Sequence, residues 1–300
     1  MPPRTFEEAF AASHEALKAM AHGDPAPSQR QYSSRGDEAL SNPVSPPIVG
    51  KDNIDRETAR VAAGLSGGME GFEFEEVARV VTPDLGYVLG FERGQVRRVG
   101  SDALTPMELR VTTVFRREEA GWKLVLRFAD RNGIDGRGPD RSGLADPPTL
   151  EPATDDETIP TPDFDTAAVS VNEQVQRMMP GSGSLSPAEQ RRMRSILSRR
   201  DDVTLANPLG PPIVGWKNLM REASAVAASY AAGGSSMEFE ELTRVVTPDL
   251  GFTLGYERIR VRRTGSDEIT RLNLRLVTIY RREEGGWKRV LRHADRIPVA

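Results

Sequence analysis

Residues 42–131 read again as residues 207–296 at one constant offset, without insertion or deletion. About 53 of the 90 aligned positions are identical, far more than shared secondary structure requires. PPIVG at Pro46 to Gly50 returns at Pro211 to Gly215, and RVVTPDLG at Arg79 to Gly86 returns at Arg244 to Gly251. GWK followed by VLR occurs at Gly121 to Arg127 and at Gly286 to Arg292. With its preceding helices each copy is long enough to bury its own core, unlike a short solenoid repeat. The chain of 300 residues is therefore expected to form two like domains, 1–132 and 166–300. The segment between them, 133–165, is rich in proline and acid and has almost no apolar periodicity, the composition of a flexible linker.

Composition excludes several classes. A formal net charge of -4 gives no electrostatic case for nucleic acid. Arginine outnumbers lysine about seven to one but is spread along both copies rather than clustered. Cysteine is absent, which removes disulfides, thiolate nucleophiles and Cys-ligated metals. The three histidines, His14, His22 and His293, have no metal-ligand spacing, so no metal is expected. No apolar run is long enough for a membrane helix, and the N-terminal stretch lacks a signal-peptide core; a cytoplasmic protein is the expectation. GxGxxG, P-loop and nucleophile-elbow motifs are missing, and no cofactor is implied.

Each copy reads helices first and strands after. Phe6, Phe10, Leu17 and Met20 share one face of a helix over 6–21, with a counterpart expected from Ala167 to Met179. A short second helix is expected around Ser28 to Ser33 and from Pro187 to Arg199. A third follows PPIVG, carried by Ile54, Val61 and Leu65 and by Leu219, Val226 and Tyr230. The period then changes to two. Leu85, Tyr87, Leu89 and Phe91 alternate with Gly86, Val88, Gly90 and Glu92. In the last strand Leu124, Leu126, Phe128 and Asp130 read as one face, and Lys123, Val125, Arg127 and Ala129 as the other. Helices followed by an antiparallel meander make an α+β unit with helices on one sheet face.

The order helix, GD, helix, NP..PP..G, helix, DLGYVLG.ER, LRVTTVFRRE..GWK.VLR.AD resembles the SnoaL-like and ketosteroid-isomerase-like proteins of the nuclear transport factor 2 superfamily. The closing strands also resemble the association domain of calcium/calmodulin-dependent kinase. The resemblance implies two tandem cystatin-like cones, each a curved antiparallel sheet wrapped around a helix with a pocket at the open end. It implies no single activity, because the superfamily hosts isomerases, cyclases, dehydratases and non-catalytic modules.

Two readings of function stay open. One is a pocket for a small, mostly apolar carbonyl or carboxylate ligand, with or without cofactor-independent acid–base chemistry. Asp295 is then the candidate base and His293 its partner, since i, i+2 in a strand places both on one face. Arg275 and Arg110 are candidate anion stabilisers, and Asp130 is the counterpart of Asp295 in a copy whose histidine is Phe128. Glu92, Glu257 and Tyr256 complete the candidate ligand contacts. Each has a structural alternative: Asp295 paired with an arginine, and Arg110 or Arg275 paired across the sheet with Glu92 or Glu257. The other reading is a non-catalytic binding or oligomerisation module, its two sheets packed as an internal pseudo-dimer, with further self-association possible in principle.

Overall fold

A computed structural model describes residues 3–43, 45–131, 163–178, 187–208, 210–229, 236–262 and 264–297. The chain divides into two compact units, Met1–Ile134 and Asp135–Ala300. Most of the expected linker lies outside the described residues.

The first unit runs α1 (Phe6–Ala21), α2 (Ala26–Gln31), β1 (Ala39–Ser41), β2 (Ile48–Val49), α3 (Lys51–Ala63), β3 (Leu65–Val81), β4 (Leu85–Arg98), β5 (Leu104–Glu118) and β6 (Gly121–Asp130). Its six strands are ordered β2-β1-β6-β5-β4-β3; β1 runs parallel to β6 and the other pairs are antiparallel. The second unit repeats this: α4 (Phe164–Met178), α5 (Pro187–Ile196), β7 (Thr204–Ala206), β8 (Ile213–Val214), α6 (Trp216–Ser229), β9 (Ser236–Val246), β10 (Leu250–Arg262), β11 (Ile269–Glu283) and β12 (Gly286–Arg296). Its order, β8-β7-β12-β11-β10-β9, is the same. The chain is a tandem α+β duplication.

Local chemistry sets the element ends. Thr5 and Glu8 form a capping box on α1: Glu8 N–H donates to Thr5 Oγ1 at 3.1 Å and Thr5 N–H to Glu8 Oε2 at 3.4 Å. At the equivalent start of the second unit, Asp163 Oδ1 accepts from Thr166 N–H at 2.8 Å. Helix α4 therefore begins at Phe164, ahead of the expected Ala167. Leu65, expected as the last apolar position of the third helix, instead opens β3, because α3 stops at Gly64.

Helices cover one face of each sheet. In the first unit Phe6, Ala9, Tyr32 and Ile54 pack with Val88, Phe115, Trp122 and Leu124. In the second, Phe164, Val171, Leu197 and Leu219 pack with Leu205, Tyr280 and Trp287. Phe6 meets Phe115 and Trp122 edge-on with centroids 5.5 Å apart, and Phe164 repeats this with Tyr280 at 5.1 Å and Trp287 at 5.4 Å. These rings need glycine beneath them: a Cβ on Gly86 would lie 2.6 Å from the Phe6 ring, and one on Gly251 would lie 2.6 Å from Phe164. The Gly86–Val88–Gly90–Glu92 phase of β4 is thus the helix-covered one, and the Leu85–Tyr87–Leu89–Phe91 phase faces away.

Candidate functional site

One irregularity decides which side chains enter the space under the helices. Val114 pairs with Leu126 but Phe115 pairs with Leu124, so Val125 is an extra residue in β6. Val290 is the same in β12, between the Ile279–Leu291 and Tyr280–Arg289 pairs. A bulge reverses the alternation on one side of it. Leu124 therefore shares the helix-covered face with Arg127, not with Leu126, Phe128 and Asp130. This corrects the reading of the last strand as one unbroken face.

Under the helices of the first unit lies a cavity of about 40 Å³, bounded by Tyr32, Leu40, Asn42, Thr113, Leu124 and the pair Glu92–Arg127. That is room for roughly one to three water molecules. A more open groove of about 780 Å³ runs outside it past Ala12, Trp122 and Lys123, but its charged groups, Glu15, Arg30 and Lys123, lie at the surface. The smaller cavity is the candidate because it encloses buried polar groups. Arg127 Nη1 donates to Glu92 Oε1 at 2.8 Å and Nη2 to Oε2 at 2.7 Å, a bidentate fork. Burial alone would lower the Arg127 pKa, but the Glu92 carboxylate outweighs it and holds the guanidinium above its ordinary value. Tyr32 is buried, and its phenol makes no hydrogen bond among the described residues. Desolvation pushes its pKa well above the usual phenol range, so it is a donor and not a base. His14 stands nearby within a ring of Phe10, Phe72 and Phe74, with centroids 4.5 to 5.1 Å away. Desolvation lowers its pKa, partly opposed by Glu92.

The second unit keeps this polar floor and changes its walls. At the same offset Glu257, Arg292, Asn207, Thr278 and Leu205 replace Glu92, Arg127, Asn42, Thr113 and Leu40. Arg292 donates to Glu257 through Nη2 and to Asn207 Oδ1 through Nη1 at 2.9 Å. The bridge pair Tyr32–Leu124 becomes Leu197–Arg289, so the polar member moves from one side of the bridge to the other. Arg289 is 6% exposed and sits among Arg292, Tyr280 and Glu257. Desolvation first, then repulsion from Arg292, lowers its pKa to about 10. Sequence reasoning passed over Tyr32, Arg127, Arg289 and Arg292. The signal was available in the Leu-to-Arg exchange inside GWK.VLR, but its face could not be assigned without the bulge.

The other candidates stand elsewhere. Arg110 pairs across the sheet with Asp130 and with Phe91, and Arg275 with Asp295 and Tyr256, all on the face away from the helices. Arg110 Nη2 donates to Asp130 Oδ2 at 2.5 Å; Arg275 Nε and Nη2 donate to Asp295 Oδ2 at 3.1 and 2.6 Å. Arg110 and Arg275 thus do not pair with Glu92 and Glu257, the alternative the sequence suggested; those carboxylates take Arg127 and Arg292. His293, on the same face as Asp295, pairs in register with Val277 and is fully buried. Of the eight candidate residues only Glu92 and Glu257 reach the helix-covered face. Among the described residues no group of three His, Asp or Glu side chains could hold a metal ion, and no helix is long and apolar enough to cross a membrane.

No family model and no curated protein matches the chain. Solved structures are similar to part of it. A Thiobacillus denitrificans protein provisionally assigned as a calcium/calmodulin-dependent protein kinase type II association domain is 21% identical over 43% of this chain and 97% of its own, with a TM-score of 0.36. A Streptomyces avermitilis protein of the NTF2-like family, provisionally assigned as a dehydratase, is 25% identical over 41% and 89%, with a TM-score of 0.34. A ketosteroid isomerase-like protein of Erwinia carotovora atroseptica is 21% identical over 41% and 92%, with a TM-score of 0.35. The solved structures to which this chain is similar are thus nuclear-transport-factor-2-like and ketosteroid-isomerase-like proteins, each matching about as much of it as one unit.

Proposed function

We propose that the chain is a tandem small-molecule-binding protein whose two cones hold compact, largely apolar ligands by one polar end. The observation that carries this reading is the enclosure in the first unit, where a buried ion pair and an unbonded phenol face the same water-sized space. Buried polar groups are ordinarily satisfied within the protein or by water. A donor left facing a cavity is suited to a carbonyl oxygen. Binding is favoured over catalysis because both Glu92 oxygens are held by Arg127 in a bidentate fork, which commits the carboxylate to the ion pair. Asp295 is likewise engaged, by Arg275, on the opposite sheet face. The enclosed space is small, so a ring-sized ligand requires Leu17 and Met20, which line it, to change rotamer.

Amide NMR of the full chain titrated with acetone and cyclohexanone tests the proposal. Shifts at residues around the first cavity are expected, with affinity there falling about 3- to 10-fold in Tyr32→Phe, the worth of one net hydrogen bond. No shift at the lining with either ketone would overturn it.

A further inference from the structure

We infer that the second cone is an anion site that takes a small monocarboxylate through Arg289. This rests on the reading of the cones as ligand sites and names the ligand class of one of them. Arg289 comes from β12 on the helix-covered face, beside the bulge at Val290. Its side chain is more than nine-tenths buried, and its guanidinium makes no hydrogen bond or ion pair among the described residues. Every other deeply buried arginine described has a carboxylate: Arg110 has Asp130, Arg116 has Asp37, Arg275 has Asp295, Arg281 has Asp202 and Arg292 has Glu257. Arg289 has none to itself. Glu257, the carboxylate that acts on it, is already held by Arg292.

Charge counting narrows the ligand. Among the described residues, the guanidiniums of Arg289 and Arg292 and the carboxylate of Glu257 act on one another and leave one positive charge. A monoanion neutralises it, whereas a dianion overshoots and meets Glu257. A planar two-oxygen group fits a guanidinium fork better than a sphere does. Leu197, the bridge partner of Arg289, and Tyr280, its cross-strand partner, are buried beside it and suit a short apolar body. Leu124 at the equivalent place in the first cone removes the cation, so the site belongs to the second copy alone.

The experiment is calorimetric titration of the full chain with benzoate, with benzyl alcohol as the neutral analogue and inorganic phosphate as the dianion, at fixed ionic strength. Arg289→Leu installs the residue the first copy carries and is expected to fold; Arg289→Lys keeps the charge without the fork. The wild-type chain is expected to bind benzoate at least 10-fold more tightly than Arg289→Leu, with Arg289→Lys between them and phosphate weak. Benzyl alcohol is expected to bind wild type and Arg289→Leu alike. Equal benzoate affinity in the two, or phosphate binding more tightly than benzoate, would overturn the anion site while leaving cone binding intact if benzyl alcohol binds. Failure of both benzoate and benzyl alcohol would overturn the binding reading itself.

Discussion

The two cones share a floor and differ in one wall. Glu92 with Arg127 and Glu257 with Arg292 occupy the same register, beside Asn42 and Asn207, in copies that have diverged at two positions in five. The bridge pair above them is reversed in polarity, Tyr32–Leu124 against Leu197–Arg289. A shared ion pair is a demand of the fold: each member would be an uncompensated buried charge without the other. An exchange in which the polar residue changes strand, and changes from neutral donor to cation, is the difference on which the proposed anion site rests.

The largest effect expected from breaking this comparison is on the floor. Arg127→Leu strands Glu92 and should cost about 3–5 kcal/mol in denaturant unfolding of the first unit. Arg292→Leu should cost visibly less, because Arg289 can turn to Glu257. Equal losses would show that Arg289 does not share the second floor. Next is the wall. Arg289→Leu should stabilise the ligand-free protein by about 1–4 kcal/mol, as replacing a buried charge with an apolar side chain often does. Leu124→Arg should destabilise the first unit, and opposite signs in the two melting shifts are the expected outcome. Smaller again are the glycine contacts common to both units. A Cβ on Gly90 would meet Phe74 at 2.3 Å, and one on Gly255 would meet the Glu240 carbonyl at 2.3 Å. Gly90→Ala and Gly255→Ala should each cost about 1–3 kcal/mol, alike in the two copies. Smallest is a pH effect special to the first unit. Its folded state binds the His14 proton less readily than the unfolded chain, so stability falls as pH drops through about 6.5 toward the lowered folded value. His14→Gln should flatten the melting-temperature profile between pH 5 and 7 relative to wild type; an unchanged profile would assign that dependence elsewhere.

The fold was legible because duplication and periodicity agree. The spacing of Phe6, Phe10, Leu17 and Met20 marks α1, and the tryptophans after the REEAG and REEGG turns are core residues, Trp122 and Trp287 being 6% and 5% exposed. Strands β3 and β9 were not read. In β3 the glycines Gly67, Gly68 and Gly71 and the run of acids mask an edge strand whose exposed positions need no apolar residue. The candidate site was half legible. Glu92 and Glu257 were chosen, but their partners were sought at Arg110 and Arg275 instead of Arg127 and Arg292. The reason is local: KLVLRFAD reads as unbroken alternation, and a bulged valine inside it leaves no compositional mark. One extra residue in each copy carried Asp130, Asp295 and His293 to the far face and brought Arg127 and Arg292 under the helices, beside Leu124 and Arg289.

On the proposed reading the second cone, and not the first, holds an anion at its wall. A crystal structure of the full chain grown with benzoate tests it most directly. A carboxylate about 2.7–2.9 Å from the Arg289 guanidinium is expected, with no anion beside Tyr32. Benzoate equally present in both cones, or bound only at the surface with Arg289 paired to a protein carboxylate, would contradict it.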